Sequence, residues 1–397
     1  MTTGYSPDTP PLFEIHAENL YHCCACNYCV RMDWDEWGIE GVCATLEHHA
    51  PAPGYSGKGY IAAARAWREG RLEGLDVLAE RAFTCTTCGN CDEVCPIGMR
   101  PQAILRDLRA ELATRGMAPA WAERRLGESA AAPPLAPVGQ ADATLVLSSP
   151  ESPGSLAEGQ AVVALLAPLG AEVALHAAPL QQIALIEALG QGAEARRRLA
   201  PLLGRAARLV AVDADGLASV ARARASLEDA EGPTRGPEVL GAVAAVLDAI
   251  ESGRLVLVPR PGAAAPPATV GLVQSCHLSK HAHGLQADDI EGQIHRLLAR
   301  LGIAVIGPSG RAARFTLCCG AAGGMPEAQP EAARRMARAR AEALWGQGAE
   351  VLVAASPLCG DHLARALPAD RAPQGLFAFL LRHFQPLAAT PETGDPA

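Results

Sequence analysis

Four cysteines limit what this chain can fold around. Cys85, Cys88, Cys91 and Cys95 follow the spacing C-x2-C-x2-C-x3-C, and Pro96 comes directly after. Three thiolates on one tight loop can cap three corners of a cubane iron–sulfur cluster. Gly89 lets the backbone curl toward the sulfides, and Pro96 turns the chain away behind the fourth ligand. A structural zinc site closes on one set of four ligands and has no need of such a run. Cys23-x2-Cys26-x2-Cys29 repeats the first three positions, but no Cys-Pro follows closely and the next cysteine is Cys43. Where two such runs share a domain, the fourth cysteine of each run serves the other cluster. That rule predicts one [4Fe-4S] site of Cys23, Cys26, Cys29 and Cys95, and a second of Cys43, Cys85, Cys88 and Cys91. Cys24 is out of register and reads as a buried thiol or spectator. His48 and His49 compete with Cys43 as a ligand only weakly, because they border a proline-rich loop. Asp33, Asp35 and Glu36 read as a solvated face. Between the runs, Ile61, Ala64, Trp67, Leu72, Leu75, Leu78 and Ala82 recur at helical intervals. The expected N-terminal unit is therefore α-helical.

The chain has 13 cysteines and a formal charge of −9. The acidic balance argues against a nucleic-acid footprint, and no apolar run is long enough to cross a bilayer. Met1–Pro11 is polar and proline-rich, unlike a signal peptide. A thiol-rich chain of this kind is expected in the reducing cytoplasm, with metal rather than disulfides.

Nine cysteines precede residue 96 and the other four are Cys276, Cys318, Cys319 and Cys359, while all five tyrosines precede residue 61. This change of composition places a domain boundary near residue 100. Gly116–Asp142 and Val258–Pro267 are rich in Pro and Ala and read as connectors, and the tail from Gln385 reads as mobile. Between the connectors, two segments present the same order of strand and helix patterns, roughly 130–145 residues apart, which points to a duplicated α/β unit. Ser149 and Asp215–Gly216 of the first copy align loosely with Cys276 and Cys359 of the second. The cysteine-free copy then reads as a scaffold. The expected units are a helical two-cluster domain over 12–115, a degenerate repeat over 141–255 and a cysteine-bearing repeat over 268–385. Gly190-x-Gly192-x-x-Ala195 follows a helix pattern and is rejected as a dinucleotide fingerprint.

Each of the four late cysteines is expected at the end of a β-type run, where an open α/β sheet presents its ligands. Adjacent Cys318 and Cys319 fit a single zinc tetrahedron poorly, but suit a cluster if the backbone kinks at the glycines that follow. His277, His281 and His283 neighbour Cys276, and His362 lies three residues after Cys359. His362 is a candidate to complete a Cys/His metal set, and His277 to donate a proton in sulfur chemistry.

The stretches CNYCVRMDWDEW, YSGKGYIAAARAWREGRL and CTTCGNCDEVCP, with SCHL, CCGAAGG and SPLCGDHL further on, resemble the CCG-domain iron–sulfur proteins of the heterodisulfide reductase family. The resemblance runs from about residue 20 to 385. It extends more loosely to the iron–sulfur subunits of glycolate, lactate and anaerobic glycerol-3-phosphate oxidation. It implies an α+β multi-domain chain, with a helical ferredoxin-type domain before two CCG-type α/β domains, the first lacking cysteines. It also implies a third [4Fe-4S] cluster on Cys276, Cys318, Cys319 and Cys359, which in true heterodisulfide reductases is noncubane and splits a disulfide. Cys318 and Cys319, with His277, are then the catalytic candidates. The implied partners are a flavoprotein or other redox subunit, with a disulfide or thiol as substrate. In two respects the chain departs from that pattern: the CCG motif ends Cys-x-x-Cys where this chain has His362, and the first copy has no cysteines. The lost fifth cysteine favours the alternative of a pure electron-transfer subunit linking a flavin dehydrogenase to a quinone or other carrier.

Overall fold

The structure is a computed structural model that describes residues 19–31, 41–135, 143–170, 172–203, 208–231, 237–281, 290–307 and 314–388. His283, Asp33, Asp35 and Glu36 lie outside the described residues. The first unit is built from α1 (Ala44–His48), α2 (Gly57–Arg68), α3 (Leu75–Ala82), α4 (Asn90–Glu93), α5 (Pro101–Thr114) and α6 (Ala120–Ala131). On α2 the positions Tyr60, Ile61, Ala64 and Trp67 fall on one face and pack with Ile104, Leu105, Leu108 and Leu112 of α5. The apolar period of about 3.6 residues thus becomes a buried stripe. Gly70 and Gly74, with φ of 65° and 73°, separate α2 from α3. Pro101 opens α5 at a position where a missing N–H costs no helical hydrogen bond.

Two parallel sheets follow. The first unit comprises β1 (Thr144–Ser148), α7 (Pro153–Leu166), β2 (Val173–Ala177), α8 (Leu180–Ala188), α9 (Gly192–Leu199), β3 (Arg208–Ala211), α10 (Ala214–Glu231), β4 (Glu238–Gly241), α11 (Ala242–Glu251) and β5 (Leu255–Pro259). The second begins with β6 (Thr269–Val273) and a π-helical turn at His277–His281, then α12 (Ile290–Arg300), β7 (Ala304–Ile306), α13 (Met325–Ala328) and α14 (Pro330–Gly346). It ends with β8 (Val351–Ala354), α15 (Pro357–Ala366), β9 (Gln374–Gly375), α16 (Leu376–His383) and β10 (Phe384–Ala388). The sheet orders are β2-β1-β3-β4 and β7-β6-β8-β9, parallel throughout. β1 and β6 are central and buried along nearly their whole length, as continuous apolar runs require.

Three expected features are corrected. Gly116–Asp142 is not merely a connector, because α6 occupies its middle, burying Ala122 and setting Trp121 edge-on to Phe83 with centroids 6.2 Å apart. Val258 and Pro259 belong to β5 rather than to a loop. The start of the tail is also ordered, because Phe384–Ala388 pairs antiparallel with Leu255–Pro259. That ladder joins the last strands of the two α/β units.

Helices cross over in the same sense: α16 of the second unit packs on α7 of the first, and α11 of the first on α12 of the second. Glu158 on α7 fixes one crossing. Its two carboxyl oxygens accept the Phe377 and Ala378 N–H groups, each at 2.9 Å, and so cap α16 from the other unit. A Cβ on Gly375 would fall 2.2 Å from Glu158 Oε1, so this capping needs glycine there. Burial pushes the Glu158 carboxyl from its ordinary 4.5 up to about 7, although both N–H donors favour the ionised form. A carboxyl raised on folding stabilises fully below its unfolded value, and that stability is lost as pH rises through the folded one. Stability is therefore expected to fall by about 3 kcal/mol from pH 4.5 to pH 7.5 through this group. Urea unfolding across that range should show the slope in the parent protein and a flatter one in Glu158→Gln.

Candidate metal centres

The N-terminal cysteines converge on two cavities. Cys23, Cys26, Cys29 and Cys95 line the first, beside Lys58, Ile61, Pro96 and Ile97. Cys43, Cys85, Cys88 and Cys91 line the second, beneath Tyr60, Gly57 and Pro101. Each cavity therefore takes a cysteine from outside its own run. Cys24 borders the first cavity and is exposed, not buried.

The loops curl through unusual backbone. Ala25, Asn27 and Thr87 have φ of 56°, 71° and 54°, left-handed values that non-glycine residues rarely adopt. Asn27 is held there by Lys58, whose Nζ donates to its Oδ1 at 2.6 Å. Gly57 must lack a side chain, since a Cβ would stand 2.8 Å from the Cys91 Cβ. Backbone N–H groups already point at sulfur: Thr87 N donates to Cys85 Sγ and Met99 N to Cys95 Sγ, both at 3.3 Å.

Both cavities suit iron–sulfur clusters. Burial pushes the Cys29 thiol up to about 11 and also raises Cys43, Cys85 and Cys91. Thiols so placed stay neutral unless positive charge enters with a ligand, and bound metal deprotonates them. Among the described residues, no three Cys, His, Asp or Glu side chains close on a single ion, so the cysteines ring space instead. His48 and His49 lie at the end of α1 and line neither cavity.

The last four cysteines are all buried. Cys276 follows β6 and Cys359 sits in the first turn of α15, beyond β8, as expected of sheet ends. Cys318 and Cys319 do not end a strand: they lie on the loop before α13. That loop turns on Gly320, Gly323 and Gly324, with φ of 85°, 67° and 82°. A Cβ on Gly323 would reach within 2.4 Å of the Cys85 carbonyl oxygen, and one on Gly324 within 2.0 Å of the Trp121 ring. The glycines therefore let the Cys-Cys loop press directly on the N-terminal cluster loop. Cys319 and Cys359 sulfurs are 3.2 Å apart. The Cys318 thiol contacts both Cys276 and Cys88, and its hydrogen bond to Cys88 contributes most to raising that thiol, ahead of burial. The second N-terminal cavity and the C-terminal site thus share a wall.

The histidines divide. His277 Nδ1 stands 3.9 Å from Cys276 Sγ, and burial holds this ring down to about 4 against the pull of Asp215. His281 stacks on it with centroids 4.7 Å apart. His362 does not complete a Cys/His set here. Its Nε2 bonds the Ala333 carbonyl at 3.1 Å, and the ring also meets the Cys319 backbone, so it braces the Cys-Cys loop against α14.

The first α/β unit is more than a scaffold. Asp213, just beyond β3, accepts from the Ser149 and Ser155 hydroxyls at 2.9 and 2.6 Å and from Gln181 Nε2 at 2.7 Å. This closed polar network fills the sheet end where the second unit carries cysteines. Asp215, just beyond Asp213, faces His277 across the unit boundary; burial pushes it up to about 6, helped by Asp213. Sequence reasoning aligned Ser149 and Asp215 with cysteines but missed Asp213, Ser155 and Gln181, and also Arg106, Glu187 and Arg222, which only the crossing of α5, α8 and α10 brings together. It missed Arg109 as well. That side chain is fully buried, and its guanidinium donates to the carbonyls of Ala82, Cys85, Ala188 and Gly323 at 2.8, 2.7, 2.9 and 3.2 Å, tying all three units together.

Residues 19–99 match the family model of the 4Fe-4S dicluster domain, and residues 270–364 match that of the cysteine-rich CCG domain. The chain has the architecture of iron–sulfur proteins of the heterodisulfide reductase type. No curated protein matches the sequence. Among solved structures it is similar to a hypothetical protein from Helicobacter pylori, at 10% identity and a TM-score of 0.49, covering 82% of this chain and 66% of that one. The chain thus spans just under two thirds of that protein. A putative Asp/Glu racemase from Yersinia pestis is similar at 16% identity and a TM-score of 0.26, over 61% of this chain and 96% of the other.

Crossed ligation makes double substitutions informative. Cys23→Ala with Cys95→Ala should cost no more iron than either alone, about four atoms per chain, whereas Cys85→Ala with Cys95→Ala should cost about eight. Iron analysis of anaerobically purified protein decides between crossed and uncrossed pairing. Arg109→Met strands four carbonyls and is expected to lower stability by about 3–5 kcal/mol in urea. Arg254→Met, at an exposed ion pair with Asp248, should leave the urea midpoint unchanged.

Proposed function

We propose that this chain is an oxidoreductase subunit of the heterodisulfide reductase type, carrying electrons between an external redox partner and a disulfide or thiol at the C-terminal cysteines. The observation that carries this reading is the contact of Cys318 with both Cys276 and Cys88. Through it the C-terminal cysteines adjoin the second N-terminal cavity, which supports reading the three cysteine groups as one series. Iron–sulfur clusters held by these cysteines would supply single-electron transfer.

The two ends of the series differ in exposure. At the first cavity Cys24 and Cys26 are open to solvent, and Tyr28 and Ile97 beside it are 46% and 48% exposed. This face suits docking by a flavoprotein or other redox subunit, because apolar side chains ring the exposed sulfurs there. At the far end all four cysteines are buried, which keeps a reacting sulfur away from bulk water. In the reducing direction, one disulfide takes two electrons from the partner's reduced carrier and two protons, its S–S bond breaks, and two thiols leave. His277 lies beside Cys276, where a proton must arrive or depart. The described cysteines form no disulfides with one another, which leaves them available to clusters, and a reducing cytoplasm is the compartment this reading implies. No described helix is long and apolar enough to cross a membrane, and attachment to one would come through the partner.

The engagement of His362 with backbone, where the CCG motif has cysteine, favours a second reading: a relay that serves a dehydrogenase and has no substrate of its own. Iron analysis with EPR separates the two. About twelve irons, with a signal that changes when thiol is added under oxidising conditions, is the expected result. A signal indifferent to thiol would leave only the relay.

A further inference from the structure

None of the cysteine groups accounts for a polar cleft where the three units meet. Gln102 and Arg106 of α5, Glu187 of α8, Asp215, Ser219 and Arg222 of α10, and His277 line it. Charge in this cleft is unevenly matched. Arg222 is fully answered: its Nε and Nη2 donate to the two Glu187 oxygens at 2.6 and 2.8 Å, and the Ser219 hydroxyl donates to Glu187 at 2.5 Å. Arg106 is not. Its Nη2 donates to Gln102 Oε1 at 2.7 Å, a neutral acceptor, and among the described residues no carboxylate lies within ion-pair distance of it.

Gln102 cannot turn to offer anything else. Its amide Nε2 donates to the Thr87 carbonyl and, at 3.1 Å, to His281 Nε2, which leaves Oε1 committed to Arg106. The guanidinium is thus held in place, lining the cleft with no carboxylate at ion-pair distance. His277, which also lines the cleft, has its Nδ1 3.9 Å from Cys276 Sγ.

We propose that the cleft binds a small monocarboxylic acid, its carboxylate paired with the Arg106 guanidinium and its other end directed toward His277 and Cys276. A planar guanidinium matches both oxygens of a carboxylate, which a point charge does not. Arg106 alone lacks a carboxylate at ion-pair distance, which suits one negative charge, and Glu187 and Asp215, which also line the cleft, oppose a dianion such as phosphate. The proposal rests on the disulfide reading only for which end of the ligand reacts; binding of the acid stands apart from it.

The test uses the full chain, purified anaerobically with its iron, and titration calorimetry with propionate, mercaptopropionate, mercaptoethanol and inorganic phosphate. Propionate and mercaptopropionate should compete for one site and bind at least about tenfold more tightly than mercaptoethanol or phosphate. Arg106→Gln should weaken both acids about tenfold or more, and Arg106→Lys should recover part of the loss. Unchanged iron content shows that a variant is folded; should Arg106→Gln lose iron, Arg106→Lys carries the comparison. Wild-type affinity for propionate in both variants, or tighter binding of phosphate, would overturn the proposal. EPR on the same samples keeps the two readings apart. If Arg106→Gln abolishes propionate binding and thiols leave every spectrum unchanged, the cleft stands and the disulfide reading falls. If mercaptopropionate alters the spectrum equally in the parent protein and Arg106→Gln, the cleft assignment falls and the disulfide reading stands.

Discussion

The three units depend on one buried guanidinium for their mutual position. Arg109 reaches Ala82 and Cys85 in the helical unit, Ala188 at the end of α8, and Gly323 in the Cys-Cys loop. Taking a cation out of water is costly unless hydrogen bonds and opposite charge replace the solvent. The carbonyls provide the first, and the Phe83 ring lies beneath the guanidinium at 5.4 Å. Opposite charge would come from Cys85 if it held metal as a thiolate. Arg109 would then couple metal binding to domain docking. Close approach then follows. Gly190 allows the turn after α8 to sit where a Cβ would meet the Ala110 N at 2.5 Å, and Gly323 does the same against the Cys85 carbonyl.

Packing of helices between the two α/β units gives the cysteine-free unit a structural role. Its α7 receives α16, its α11 covers α12, and Ser152 at the start of α7 donates to Asp361 at 2.7 Å, beside His362. The units meet mainly helix on helix, so each buries an outer helix face of the other. Removing the first unit would expose α12 and α16 of the second and take away Arg222, Glu187 and Asp215 from the cleft. In the first unit Asp213 with Ser149, Ser155 and Gln181 satisfies the corresponding sheet end by hydrogen bonds instead of cysteines.

Legibility in the sequence followed the range of the interaction. The Cys85–Cys95 run could be read because its ligands lie on one loop, and α2 because its apolar stripe repeats within twelve residues. β1 and β6 were readable as continuous apolar runs, but β2 was not: its five residues are only partly buried, and β9 has just two. α6 was hidden in Ala- and Pro-rich sequence because its helix depends on tertiary burial of Trp121 and Ala122 rather than on a strong stripe. The Cys-Cys loop looked like a strand end because its neighbours share that pattern; only Gly323 and Gly324, forced against Cys85 and Trp121, explain its true course. His362 had the spacing of a ligand, and spacing says nothing about a carbonyl contributed from another helix.

The cleft shows most clearly what local pattern cannot supply. Arg106, Glu187, Arg222 and His277 come from four elements, and none is unusual in its own sequence setting. Their arrangement follows from Arg109 and Gln102, which lie on α5 within two turns of each other. Arg109 docks that helix against the end of α8, and Gln102 ties it to the cluster loop at Thr87 and to His281. With α5 clamped at both places, Arg106 between them has no freedom to seek the Glu187 carboxylate that Arg222 already holds. An unanswered buried cation is normally selected against as a cost to stability. Here it is held in place by contacts that also set the position of the cysteines. The same helix that docks the metal-binding loops therefore keeps a guanidinium without an ion-pair partner facing the cleft beside them.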